Sequence, residues 1–423
     1  MKPILDAVRA PRGLTLGALV ACGILLLAAA IPARRMGPAG PANAEFVVKS
    51  ANDAGPGTLR DALLACDRLT SHCRILLEAR QVVIESPLPA LINPRGIEIE
   101  ATGQAGTIDA SRETQGPAIE IKSARSVLTG IHVVDARRYG ILVDAPGAEL
   151  TSVTVKDSKV GVMLGADASG TTMRTSLLEH DETGLMAETG VRDVGLVSDI
   201  FRLNTRAGLW FVGAPEARGG NAGDAAQEAP RLRVIDTVFE SNAAGAVLAN
   251  KGTLLQKDRF IDNQAALNVI GGAASVEDSE IRGSDGTAAS VISARSVVLA
   301  RNMLVNNKAA ALIVRDSGIR IEGNTVAHNG LGLVLIGGAG AFTPVVKDNR
   351  ITDTAADAIT LIGGTALLQS NQVIGNRGAG LRPLDLVQGT ESLKADPRLD
   401  HNVFHANGVD VAPTGVYRLK GGP

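Results

Sequence analysis

Aromatic residues make up only 2% of the chain: one Trp, two Tyr and seven Phe in 423 residues. That scarcity argues against an aromatic core, and small aliphatics must fill the interior, because hydrophobic residues still amount to 45%. Net charge is almost absent, with 42 Lys plus Arg against 44 Asp plus Glu. Such a surface has no field to gather nucleic acid, and none is expected as a partner. Histidines number six; His401 and His405 have helical spacing, but Asn402, Asn407 and Gly408 disfavour a helix there and no third ligand is evident, so no metal site is expected.

What the chain has instead is a period. The segment Glu322 to Leu335, EGNTVAHNGLGLVL, returns about every 22 residues from Thr151 to Leu384. Registered on its second Asn, the repeat gives Ser158, Asp181, Asn204, Asn242, Asn263, Ser284, Asn307, Asn329, Thr354 and Asn376. Three residues before each stands an apolar residue: Val155, Leu178, Phe201, Phe239, Phe260, Ile281, Leu304, Val326, Ile351 or Val373. Five before, a second polar column includes Asp199, Thr237, Asp258, Ser279, Asn302, Asn324, Asn349 and Asn371. A fixed period of this size means stacked coils, each too small to bury its own apolar face. The apolar column is the inward face of a repeated strand, and the polar columns are corner ladders that belong to the scaffold. One step, Asn204 to Asn242, is overlong, and the excess falls in Gly213 to Arg233, a Gly, Ala and Pro-rich loop beside Trp210 and Phe211.

At the start, Leu14 to Ile31 is an uncharged apolar run preceded by Lys2, Arg9 and Arg12 and followed by Arg34 and Arg35. Its length and basic flanks favour an uncleaved membrane anchor over a cleaved export signal. Residues 1–35 are read as a cytoplasmic stub plus this anchor, and 36–45 as a Gly and Pro linker. Thr58 and Asp61 form a helix start, and Leu59, Ala62, Leu63, Cys66 and Leu69 share one face, which predicts a helix plugging the first coil. Residues 46–117 hold this cap and the first coils, 118–385 the regular coils, and 386–423 a closing segment.

The run GTLRDAL from Gly57, followed by VIESPLPALINPRGIEIE from Val83 and TIDAS from Thr107, resembles the amino-terminal cap of exported right-handed parallel β-helix proteins of the pectin-lyase-like superfamily. The resemblance implies an all-β, single-stranded right-handed parallel β-helix (solenoid) of about 11 to 13 coils. Export favours a disulfide between Cys66 and Cys73, and places the β-helix in the periplasm, tethered to a bacterial inner membrane by one span, or secreted if the span is cleaved. The fold hosts lyases, hydrolases, epimerases and non-catalytic proteins, so it does not choose an activity.

Candidate chemistry sits in the column two residues before the register position. Lys156, Glu179, Arg202 and Glu240 stack there with alternating charge, and Asp157 and His180 follow in the next column, preceded by Asp135. The plainer reading is a salt-bridged solvated face. The sharper one is a polysaccharide site in which Asp157 and His180 move protons, Arg202 neutralises a uronate, and Asp135, Lys156, Glu179, Glu240 and Trp210 bind. The resemblance raises calcium as a cofactor, but Glu179 and Glu240 stand two coils apart, about 9 to 10 Å, too far to share one ion. No cofactor is expected. The paired Asp and Gly-His-Gly of polygalacturonases are missing, and Asp396-Pro397-Arg398-Leu399-Asp400 only echoes the Asp-Pro-His-Asp of mannuronan epimerases. The leading expectation is a membrane-tethered protein that binds or guides an exported polysaccharide without catalysis; the alternative is a lyase or epimerase on a uronate polymer. Oligomeric state is not legible.

Overall fold

The computed structural model describes residues 44–418 except 104, 114, 214–230, 251, 338–341 and 389–390. The apolar run Leu14 to Ile31 and most of the long Gly213 to Arg233 insertion lie outside the described residues. Among the described residues, no helix is long and apolar enough to cross a membrane.

Each repeat contributes one strand to each of three parallel sheets, so the chain winds as a coil of about thirteen turns. The first sheet stacks 15 described strands, from Ala44–Val48 to Ala395–Asp400, and the second stacks 14, from Gln81–Val83 to Val403–His405. The third begins at Ile119–Ile121 and runs to Ala379–Gln388. Strand register follows the sequence period: Val155 pairs with Leu178, Leu178 with Phe201, Phe201 with Phe239, and Phe239 with Phe260. All ten apolar residues registered in the sequence are buried.

Two corners of every coil are built alike. Between the first and second sheets, and again between the second and third, one residue turns the chain in the left-handed region, and the next is the buried polar ladder residue. The ladder side chain accepts the backbone N–H of its counterpart one coil earlier. Asn302 Oδ1 takes the Ser279 N–H at 2.9 Å while its Nδ2 donates to Val276 O at 2.8 Å. Stacked Asn residues thus satisfy backbone groups that the corner would otherwise leave unpaired in the interior. The two ladders stand five residues apart in every coil, from Ser176 and Asp181 to Asn402 and Asn407.

The polar pattern does not stop at Leu384. Asn402 and Asn407 extend both ladders by one coil, receiving the N–H groups of Asn371 and Asn376 at 3.0 and 3.1 Å. A hairpin of Ala379–Gln388 with Glu391–Leu393 lengthens this last step, which hid it from a ruler set at about 22 residues. The segment Ala395–Asp400 is the first strand of that coil.

A nine-residue helix, Leu59–Asp67, buries Leu59, Ala62, Leu63 and Cys66 against the first two strands of the first sheet. Thr58 Oγ1 accepts the Asp61 N–H at 3.2 Å and Asp61 Oδ2 accepts the Gly57 N–H at 3.1 Å, so orphan donors at the helix start are met. Past its far end, Asn93 Nδ2 donates to Cys66 O, Leu69 O and Ser71 O. Cys66 and Cys73 are disulfide-bonded. Closing so short a loop is worth about 2 to 3 kcal/mol in chain entropy, so a reducing agent should lower the unfolding midpoint by that amount, and Cys66→Ser with Cys73→Ser should make the protein insensitive to reductant.

Candidate functional site

The charged column assembles as the sequence reading placed it. Lys156 pairs with Glu179, Glu179 with Arg202, and Arg202 with Glu240, all on the outward side of the second sheet. Arg202 Nε donates to Glu179 Oε2 at 2.7 Å, and His180 Nδ1 lies 3.9 Å from the same oxygen. Lys156 Nζ is 3.9 Å from Asp157 Oδ2. Glu179 and Glu240 are separated by Arg202's strand, and among the described residues no cluster of three His, Cys, Asp or Glu could hold a metal ion.

The neighbouring column has a backbone explanation. Asp135, Asp157 and His180 have φ of 58°, 56° and 58°, and the equivalent residues of later coils include Asp262, Asn306, His328 and Asp353 at 52° to 57°. Gly283 and Gly375 fill the same place. Asp, Asn, His and Gly tolerate the left-handed region better than most residues, so the turn accounts for these residue types without invoking catalysis. Trp210 is not brought to this column. It lies on the third sheet in Ala207–Val212, with the Arg206 guanidinium 4.4 Å above its ring.

A groove lies elsewhere, where sequence reasoning did not look. It runs over the outer face of the first sheet, with a volume of about 870 Å³, and meets a second hollow of about 440 Å³ at the corner to the second sheet. Arg301 and Gly323 line both. Arg301 occupies a left-handed corner position, φ 58°, which throws its side chain across the junction. Its Nε donates to Asp278 Oδ1 at 2.7 Å and its Nη2 to Glu277 Oε2 at 2.9 Å. Arg320 and Lys347 flank Glu322 at 3.5 and 3.6 Å, and Lys347 also lies 3.4 Å from Asp348. In the second hollow, Glu280 sits between Arg259 at 3.4 Å and Arg282 at 3.1 Å.

Every carboxylate of this groove therefore has a cation beside it. The Arg301 guanidinium holds the Asp278 carboxyl below its ordinary range. Above the groove floor stands Phe342, 45% exposed, whose ring approaches Gly318; a Cβ on that glycine would come within 3.0 Å of Phe342 Cδ1. The one signal in the sequence that could have pointed here is Phe342 itself, a scarce aromatic lying outside the inward Phe201, Phe239, Phe260 column.

A family model described as "right handed beta helix region" matches residues 220–378 and 288–417. The sequence has no significant match among curated proteins. Among solved structures, the catalytic unit of a thermostable α-1,3-glucanase from Streptomyces thermodiastaticus is 15% identical with a TM-score of 0.44, over 89% of this chain and 70% of that one. A periplasmic alginate epimerase is 12% identical with a TM-score of 0.40, over 81% and 78%. The A-module of a mannuronan C-5 epimerase from Azotobacter vinelandii is 11% identical with a TM-score of 0.38, over 88% and 98%. These are likenesses of fold.

Proposed function

The chain is a right-handed parallel β-helix repeat protein of the pectin-lyase-like superfamily, and we propose that it binds an extended polysaccharide in the first-sheet groove without cleaving it. The observation that carries this reading is the pairing of an exposed aromatic ring, Phe342, with a row of forked and carboxylate hydrogen-bonding groups along an open groove. A sugar ring offers C–H groups to an aromatic face and hydroxyls to planar polar groups, and this wall presents both in sequence along the helix axis. Catalysis is disfavoured by the same charges. A general acid must carry a proton near neutral pH, whereas the groove carboxylates are held ionised by Arg301, Arg320, Lys347, Arg259 and Arg282.

Retention on a panel of immobilised polysaccharides tests this. Phe342→Ala should weaken binding to the retained polymer by roughly tenfold, the worth of about one aromatic contact, with unchanged circular dichroism. Retention of no polymer, or retention indifferent to Phe342→Ala and Arg301→Ala together, would sink the reading.

The second reading, a lyase or epimerase at Asp157, His180 and Arg202, is favoured by the Glu179 to Arg202 bond beside His180. It requires ultraviolet-absorbing unsaturated product, or a changed polymer by NMR, that disappears in Asp157→Asn and His180→Ala. In our reading the Leu59–Asp67 helix plugs the first coil, and the apolar run Leu14 to Ile31 tethers the β-helix to a bacterial inner membrane, facing the periplasm. Amino-terminal sequencing of the mature protein checks the tether: a start at or beyond Ala33 refutes it.

A further inference from the structure

The groove leaves the outer face of the third sheet free, and that face differs from the other two in composition. One outward column runs through paired strands from Met186 and Trp210 to Ile313 and Val334. A second, beside it, includes Ile270 and Ile292, which are 47% and 37% exposed. The polar interruption in the first column is internally satisfied, Ser290 Oγ donating to Asn268 Oδ1 at 2.6 Å.

Charge is the telling feature. Between Met186 and Arg382 in the first column, and between Ile270 and Leu384 in the second, the only charged residues are Arg315 and Arg382. Both are already neutralised: Arg382 forks onto Asp357, with Nη2 to Oδ1 at 3.0 Å, and Arg315 Nε lies 3.7 Å from Asp316. The outward faces of the first and second sheets, by contrast, carry rows of both signs, such as Glu277, Arg320, Glu322 and Lys347. A face with unpaired charge of one sign would repel its own copy; this one does not.

Area supports the same occupant. Nine strands at about 4.8 Å spacing and about six residues at 3.3 Å give a face of roughly 40 by 20 Å, on the order of 800 Å². That exceeds the apolar patch a typical monomer leaves exposed and equals what each partner of a standard-size stable interface buries. Flat sheet faces of even side-chain height pack on one another at about 10 Å.

We propose that the outer face of the third sheet is a docking surface for a second copy of the chain, packed sheet on sheet about a two-fold axis. The dimer would leave both first-sheet grooves open on its outside.

Light scattering of the full chain in mild detergent should give a dimer mass at micromolar concentration. Emission from Trp210, the only tryptophan, should move to longer wavelength on dilution as the face is uncovered. Ile313→Glu with Val334→Glu should weaken dimerisation by at least ~100-fold, whereas Leu254→Glu, outward on the first sheet, should leave it unchanged. If the double variant does not fold by circular dichroism, Ile292→Lys at the exposed column takes its place. A monomer mass with concentration-independent emission overturns the proposal, as does a dimer that folded variants of this face do not weaken. A monomer that floats with phosphatidylcholine vesicles through these residues also overturns it, and assigns the face to lipid.

Discussion

Replacing Asp181 by Asn is expected to stabilise the protein by up to about 6 kcal/mol at pH 9 and by almost nothing at pH 4. Asp181 stands in a ladder otherwise served by Asn, Ser and Thr. Its Oδ1 accepts the Ser158 N–H at 2.8 Å, but its Oδ2 is buried with no partner. At the same place in later coils the second side-chain atom is an amide nitrogen donating to a carbonyl of the preceding coil, as from Asn242 to Phe201 O at 2.9 Å. An ionised carboxylate cannot donate; a protonated one can. Burial, reinforced by the charges of Asp157 and Glu179, pushes the Asp181 carboxyl up to about 8.

The sign follows from proton counting. Between the unfolded value of 3.8 and about 8, the folded chain holds a proton that the unfolded chain has lost, so stability is full at low pH and falls as pH rises through that window. The whole gap is worth about 6 kcal/mol. Asn does not titrate and restores the donor. Asp199, raised to about 7, and Asp258, raised well above its ordinary value, extend the same loss to the other ladder. Asp278 and Asp357 are held low by arginines and contribute the opposite slope only at more acid pH. Urea denaturation of both proteins at pH 4, 7 and 9 decides the matter; a difference that does not grow with pH refutes it.

Phe239→Ala is expected to cost about 4 kcal/mol. Phe239 is wholly buried between two rings, 5.0 Å from Phe201 and 4.7 Å from Phe260, at interplanar angles of 8° and 9°. Truncation removes both stacking contacts and leaves a cavity at mid-stack that parallel strands on either side cannot collapse into. Phe239→Leu, the residue that the column itself uses at Leu178 and Leu304, should cost only about 1 to 2 kcal/mol. Denaturant midpoints at constant slope measure both. A loss below about 1 kcal/mol for the Ala variant would mean that the neighbouring rings close over the gap.

The coil was legible because each turn must bury one apolar side chain and satisfy two corner backbones, and these demands recur at fixed offsets. Phe201, Asn242 and Asn302 could be placed by counting. Outward residues answer to no such demand. Arg301 faces a groove because it occupies a left-handed corner that Asp, Ser or Gly fill in other coils, and nothing in its sequence surroundings marks it. Gly318 and Phe342 meet across a distance in sequence that no period links. The reverse error has the same origin: Asp157 and His180 look like chemistry in a sequence because they are polar and stacked, yet their column is a turn that favours such residues. The last coil was missed for a simpler reason, since one hairpin moved Asn402 off the ruler.

The invariant five-residue spacing of the two ladders has a consequence for tolerance to insertion. Because Ser176 to Asp181 and Asn402 to Asn407 have the same span as every ladder pair between them, all variation in coil length is taken up after the second ladder residue, on the way through the third sheet to the next coil. One added residue between two ladders would throw a buried amide out of line with its neighbours above and below. A dozen added at the turn leaving the third sheet would alter no ladder bond. That turn is therefore the place to graft a foreign peptide or reporter, repeated once per coil along one side of the molecule.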